Sequence, residues 1–429
     1  MPTSSRISYF TRRNLSAVAA ALYTAVTLGS VLADDTDLQV KAERIHTDAI
    51  TVDTHVDIPT FFASDRFNMG EVNPSPAQVD LPRMEEGGLD AAFFIVYVRQ
   101  TKRDPVGYAQ AVSTASAKFA AIHRLTTGPD ADRVGLAVTA EDVRALHRDG
   151  KRAALIGIEN GYVIGTQIDL LDTYYDWGAR YFGLVHNGHN DIGDSAQPRL
   201  DLGDGPTLHN GLSAFGREVI RRCNRLGIMI DVSHASKQTT LEAIKQSRAP
   251  VIASHSSVKG VFSHPRNMSD DELTALAAKG GVVQIVAFDT YLATLTDNKK
   301  EAFGALRKQF PFKSLDEIFG ASPTKKRAYS RRLRSIQNSY PRATVSDLVD
   351  HIDYAVNLVG VDHVGISSDF QGGGGIDGWN NAAESINVTV ELVKRGYTEE
   401  DIQKIWGGNL LRVMEEVDRK KGGFLPNFF

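Results

Sequence analysis

The chain is 429 residues long, 42% hydrophobic and 23% charged, with a formal net charge of −4. That apolar content excludes intrinsic disorder and describes an ordinary globular chain. The lone cysteine, Cys223, excludes a disulfide framework and any cysteine-based zinc site, and the mildly acidic balance gives no reason to expect nucleic acid as a partner.

Residues 1–33 read as an export signal. Arg6, Arg12 and Arg13 come first, no acid occurs before Asp34, and an Ala/Val/Leu/Thr run from Leu15 to Leu32 closes on the small residues Val31 and Ala33. The stretch Thr11-Arg12-Arg13-Asn14-Leu15 resembles a bacterial twin-arginine signal, so a periplasmic or secreted location is expected. The alternative is a retained N-terminal anchor, because the run is almost long enough to span a bilayer. Cleavage after Ala33 is the expectation, leaving no stable membrane anchor.

Residues 34–429 are expected to form one domain. Short apolar runs at 50–56, 91–98, 153–158, 181–185, 228–232, 251–254, 282–288 and 363–368 have the near-continuous character of parallel strands covered on both faces. Amphipathic stretches such as 106–125, 211–226, 236–246 and 269–279 lie between them, the last opened by a capping box of Ser269 and Glu272. Eight strands with intervening helices predict an α/β fold, a (β/α)8 TIM-like barrel, with an open doubly wound sheet as the competitor. Residues 298–342 are basic and strand-poor and form an insertion between the seventh and eighth strands. It reads as a lid or dimer contact or, the preferred reading, as a solvated helical excursion.

The polar residues fall where such a barrel would use them. Side chains at the C-terminal ends of its strands converge on one face, and here those ends carry His55 and Asp57, Glu159, His186, His234, His255 and Asp369. His55 and Asp57 share one side of a strand because side chains alternate. Glu159 ends an apolar strand, where a carboxylate is costly unless it is paired or bound to metal. Three histidines and two carboxylates exceed the needs of one tetrahedral zinc, and they fit two divalent ions sharing a carboxylate. Asp369 reads as a general acid/base or a capping carboxylate, and His186 as an oxyanion donor or a hydrogen-bonded loop histidine. Arg266 reads as a bidentate carboxylate clamp or a surface ion-pair partner. Gly372 to Gly375 lacks a phosphate-loop Lys-Ser/Thr and reads as a flexible loop.

In order, Asp53-Thr54-His55-Val56-Asp57, Gly157-Ile158-Glu159-Asn160-Gly161, Leu184-Val185-His186-Asn187, Asp231-Val232-Ser233-His234, Ala253-Ser254-His255-Ser256, Arg266-Asn267 and His363-Val364-Gly365 leading to Asp369 resemble the membrane (renal) dipeptidase family over about residues 45–415. The family comprises dinuclear zinc peptidases of the metallo-dependent hydrolase barrel type. The resemblance implies that His55 and Asp57 bind one Zn2+, that His234 and His255 bind the other, and that Glu159 bridges them. It implies that His186 contacts the scissile carbonyl, that Arg266 holds the dipeptide's carboxylate, and that Asp369 handles protons. The expected reaction is hydrolysis of dipeptides, L-Xaa-D-Xaa included, by a metal-bridging hydroxide. Mn2+, Co2+ or Fe2+ also suit these ligands. Family members are often homodimers. Three departures stand out: Asn160 where a second glycine is common, the added imidazole of His189, and Gln371 at a position that is often acidic. A barrel metallohydrolase of another amide, lactone or phosphoester, and a non-catalytic exported binding protein, remain the alternatives.

Overall fold

A computed structural model describes residues 37–422, and the expected export signal lies outside them. Nine parallel strands form one sheet: β1 (Val52–Asp57), β2 (Ala91–Tyr97), β3 (Val134–Leu136), β4 (Arg152–Glu159), β5 (Ala179–Gly183), β6 (Met229–Asp231), β7 (Val251–Ser256), β8 (Val282–Val286) and β9 (Val364–Ser367). Their order is β1-β2-β4-β5-β6-β7-β8-β9, with β3 attached to β4 outside the path. The ring is completed by a parallel bridge between Val56 and Phe370, where the Asp57 amide donates to the Phe370 carbonyl at 3.0 Å. This closure makes the molecule a (β/α)8 TIM-like barrel rather than an open sheet. All eight expected strands are present; the extra β3 is three residues long and too short to leave a periodic signal.

Alternation along the strands decides what enters the barrel. On β4, Ala154, Ile156 and Ile158 belong to the core shared with the surrounding helices, whereas Ala153 and Leu155 pack inward. Gly157 and Glu159 share the inward parity, so the carboxylate is carried to the mouth of the barrel. Gly157 is small for a reason: a Cβ there would lie 2.2 Å from the Tyr181 ring, which fills the interior beside it. On β1 the pairing slips between Asp53 and Val56, so Val52 faces inward near the floor while His55 and Asp57 still face inward at the top. The helix Asn409–Arg419 seals the floor, packing Leu410, Leu411, Val413, Met414 and Val417 against Val52, Ala91, Met229 and Val282.

The expected helices are present, including Pro105–Thr127 and Asp270–Ala278, the latter with the Ser269 amide donating to Glu272 at 2.8 Å. Between β8 and β9 the basic segment folds as helices Asp297–Gln309, Leu315–Phe319 and Pro323–Ser339 around a small core of Leu306, Phe310 and Ile336. It is more than a solvated excursion. The Thr60 amide donates to Asp316 at 2.8 Å and Ser330 donates to the Ser75 carbonyl at 2.9 Å, which fastens the segment over the barrel mouth. Gly372 to Gly375 also departs from the flexible loop expected. The Gly372 and Gly374 amides donate to the Asp369 carbonyl and Gly375 to that of Ala287, and a Cβ on Gly372 would lie 2.4 Å from carboxylate oxygens of both Asp57 and Asp369. Among the described residues no helix is long and apolar enough to cross a membrane.

Candidate active site

The strand ends bring the expected side chains together. His55 and Asp57 close β1, Glu159 closes β4, and His255 lies within β7. His186, His234 and Asp369 sit two or three residues beyond β5, β6 and β9. Glu159 is central: its Oε1 lies 3.1 Å from His234 Nε2 and 3.3 Å from His255 Nε2, and its Oε2 lies 3.6 Å from His55 Nε2. His186 Nε2 is 3.9 Å from the same Oε1, and Asp369 Oδ1 is 3.8 Å from His55 Nε2. The two oxygens of one carboxylate therefore face two different imidazole sets.

The outer nitrogens show how these rings are held. His55 Nδ1 meets the Tyr181 hydroxyl at 3.0 Å, and that hydroxyl donates to the Thr54 carbonyl. His255 Nδ1 meets Ser254 Oγ at 2.8 Å, and Ser254 donates to Asp231. His234 Nδ1 meets the Asn187 side-chain oxygen at 3.1 Å. Each outer partner is an acceptor with its own proton committed elsewhere or with none to give, so all three rings carry hydrogen on Nδ1 and turn Nε2 inward. Such fixation of the far nitrogen is what metal-binding histidines require.

Electrostatics points the same way. Burial disfavours charge on Glu159, yet attraction to His186 and His55 and the nearness of His234 and His255 hold its carboxyl well below the usual range. Burial, reinforced chiefly by the Arg266 charge at His234 and by His55 at His255, pushes both rings well below the ordinary imidazole value, so both are neutral. Burial also works against a charged His55, but Glu159 and then Asp369 raise it to about 9. Burial and repulsion from Glu159 raise Asp57 to about 6. Asp369 is raised well above a normal carboxylate by burial and by its neighbours Asp57 and Glu159, against the pull of His55. Burial lowers His186 to about 4 despite Glu159. His55 Nε2 and Asp57 Oδ1 are buried with no hydrogen-bond partner. Bare imidazole nitrogens, an ionised carboxylate between them and orphaned donor atoms facing the same space fit a divalent cation.

The other expected residues are placed as follows. Arg266 is 3% exposed, donates to the His255 carbonyl at 3.1 Å and lies 5.4 Å from the ring centroid of Tyr291, with its Nε unpartnered. Asn267 ties this loop to the Tyr291 carbonyl at 2.8 Å. His186 lies between Tyr97 and His234, its ring tilted against both at centroid distances of 4.8 and 4.1 Å. The departures resolve individually. Asn160 has φ +76°, a left-handed conformation that suits glycine and that asparagine tolerates. His189 is a strut, accepting from the Ser195 amide at 3.1 Å and contacting the Gly205 carbonyl at 3.0 Å. Gln371 lines the cavity and donates to the Asp57 carbonyl. His234 and Asp369 also hold positive φ, 68° and 55°, the kind of strain that tends to gather at functional sites.

These groups open into a cavity of about 810 Å³ lined by Asp57, Glu159, His186, His234, His255 and Asp369 at its base. Its walls add Tyr97, Lys118 and Tyr291, with Phe312, Asp316 and Tyr329 supplied by the insertion. Nothing in the spacing of these wall residues, or of Tyr181 and Ser254 behind the imidazole rings, distinguishes them in the sequence from ordinary core and surface positions.

Fold and site together define a metallohydrolase barrel. The family model for membrane dipeptidase (peptidase family M19) matches residues 39–423, and the chain belongs to that family. It is similar to dipeptidase verJ of Clonostachys rogersoniana, 31% identical over 392 residues that cover 88% of this chain and 87% of that one. It is also similar to dipeptidase tcpJ of Claviceps purpurea (strain 20.1), 30% identical over 374 residues covering 85% and 76%. Among solved structures, the probable dipeptidase PvdM from Pseudomonas aeruginosa superposes with a TM-score of 0.78 at 34% identity, covering 90% of this chain and 99% of that one.

Proposed function

We propose that this protein is an exported dipeptidase that holds two divalent cations, zinc in the first instance, and hydrolyses dipeptides including L-Xaa-D-Xaa. The observation that carries the reading is the division of Glu159: one oxygen faces His234 and His255, the other faces His55. His55 and Asp57 would hold one cation, His234 and His255 the second, and Glu159 both. The cations would supply Lewis-acid polarisation and a water of lowered pKa.

The chain's own residues supply the rest. Asp369, buried beside Asp57 and His55, takes the proton of the attacking water and returns it to the leaving amine, a task suited to a carboxyl raised well above the usual carboxylate range. His186, neutral and packed against Tyr97, donates to the developing oxyanion. Arg266, with part of its guanidinium uncommitted, holds the substrate's terminal carboxylate and so limits the chain to two residues. Dipeptidase names among similar proteins support this reading over other amides, lactones or phosphoesters. The test is a dipeptide panel, L-L against L-D, on metal-replete protein with metal content measured in parallel. Stoichiometric metal without hydrolysis of any dipeptide would leave a binding protein instead.

A further inference from the structure

The cavity contains a cation that the proposed chemistry does not use. Lys118, on the helix Pro105–Thr127, is 4% exposed and lines the cavity, yet its ammonium makes no hydrogen bond or ion pair among the described residues. Its one close feature is the face of Tyr97, 5.5 Å from the ring centroid. The neighbouring carboxylates are already engaged: Asp57 and Glu159 belong to the ligand set, and Asp316 accepts from the Thr60 amide and hydroxyl. An ammonium that opens on the cavity with no anion against it gains a charge-assisted contact from a ligand that brings one.

Its position says which part of a substrate it meets. Tyr97 ends β2, and Arg266 follows β7; in the ring order β1-β2-β4-β5-β6-β7-β8-β9 these strands are four steps apart in eight, on opposite sides of the mouth. A dipeptide whose terminal carboxylate sits at Arg266 extends its first residue across the Glu159 centre toward Lys118. The rim shares the sign. Arg99 and Lys313 line the cavity, and no acid occurs between Glu317 and Asp347, a stretch in which Arg327, Arg331, Arg332 and Arg334 are exposed and make no ion pair among the described residues. Such a rim draws anions toward the mouth.

Building on the dipeptidase reading, we infer that Lys118 is a specificity-determining residue that selects dipeptides whose N-terminal residue carries a side-chain carboxylate. The comparison is Glu-Ala against Gln-Ala, which differ in charge and hardly in shape, on the metal-loaded full chain. Glu-Ala is expected to exceed Gln-Ala in kcat/KM by about tenfold, the scale of one charge-assisted contact. The ratio falls to near one in Lys118→Met and persists in Lys118→Arg. Equal values in the wild type, a ratio that survives Lys118→Met, or the same preference for Ala-Glu over Ala-Gln would each overturn the assignment. Should neither dipeptide be turned over, the dipeptidase reading fails on its own account. Calorimetric Kd values for the same pair then decide: tighter Glu-Ala upholds the role of Lys118, and equal affinity removes it.

Discussion

The Nε2 atoms of His234 and His255 stand 3.0 Å apart, and neither ring has a proton to offer the other. Their Nδ1 hydrogens are committed to Asn187 and Ser254, so two lone pairs converge beside the Glu159 oxygen. A cation between them would make the arrangement favourable. Removing metal with a chelator is therefore expected to abolish hydrolysis and lower Tm, and restoring about two zinc ions per chain is expected to recover both. Unchanged Tm and activity after metal has been stripped, verified by elemental analysis, would refute a cation at this position.

Tyr181 offers a narrower test. Its hydroxyl accepts from His55 Nδ1, while its ring packs where Gly157 leaves room. Tyr181→Phe keeps the ring and removes the acceptor, so the fold should survive while metal affinity falls about 10- to 100-fold, the usual cost of losing an outer partner. Competition with a chelator measures it; wild-type affinity in this variant would mean that His55 is oriented by packing alone.

Asp369 and Arg266 separate chemistry from binding. Asp369→Asn should eliminate turnover with metal content intact, and loss of a metal equivalent in that variant would make Asp369 a ligand. Arg266→Ala should raise KM for free dipeptides far more than it lowers kcat, with a loss in kcat/KM of about 10- to 100-fold. An unchanged KM would remove the clamp.

Acid stability should report His351, far from any carboxylate of the site. Its Nδ1 accepts from the Val258 amide at 3.2 Å, and burial lowers the ring from 6.5 to about 4. Between those values the unfolded chain binds the proton and the folded chain does not, so His351 makes stability fall as pH drops from 6.5 and adds no further slope below about 4. His351→Gln is expected to flatten the pH dependence of the unfolding free energy across that window. Equal slopes in chemical denaturation of the two proteins would show that the imidazole titrates normally.

The barrel was legible because parallel strands covered on both faces leave continuous apolar runs, and because ligand-type residues closed six of them. The geometry of Glu159 followed from parity: its alternation with Ala153, Leu155 and Gly157 aims it inward. What the sequence concealed depends on contacts between distant segments. Tyr181 reads as a strand aromatic until it is seen against His55, 126 positions away. Lys118 reads as a solvated charge on an amphipathic helix, whereas it turns into the cavity. The basic stretch at 298–342 resembles an exposed excursion because its polar surface outweighs its small core, and only its contacts with Thr60 and Ser75 show that it walls the mouth.

The closing bridge of the ring has a consequence in time. Val56 is made early and Phe370 late, and the helix that plugs the floor is later still. A nascent chain can pair neighbouring strands as they emerge, but the first and last staves of the barrel meet only near the end of synthesis. The face that carries Glu159 and the histidines therefore cannot close before Phe370 has been made, and a half-made polypeptide lacks the assembled site.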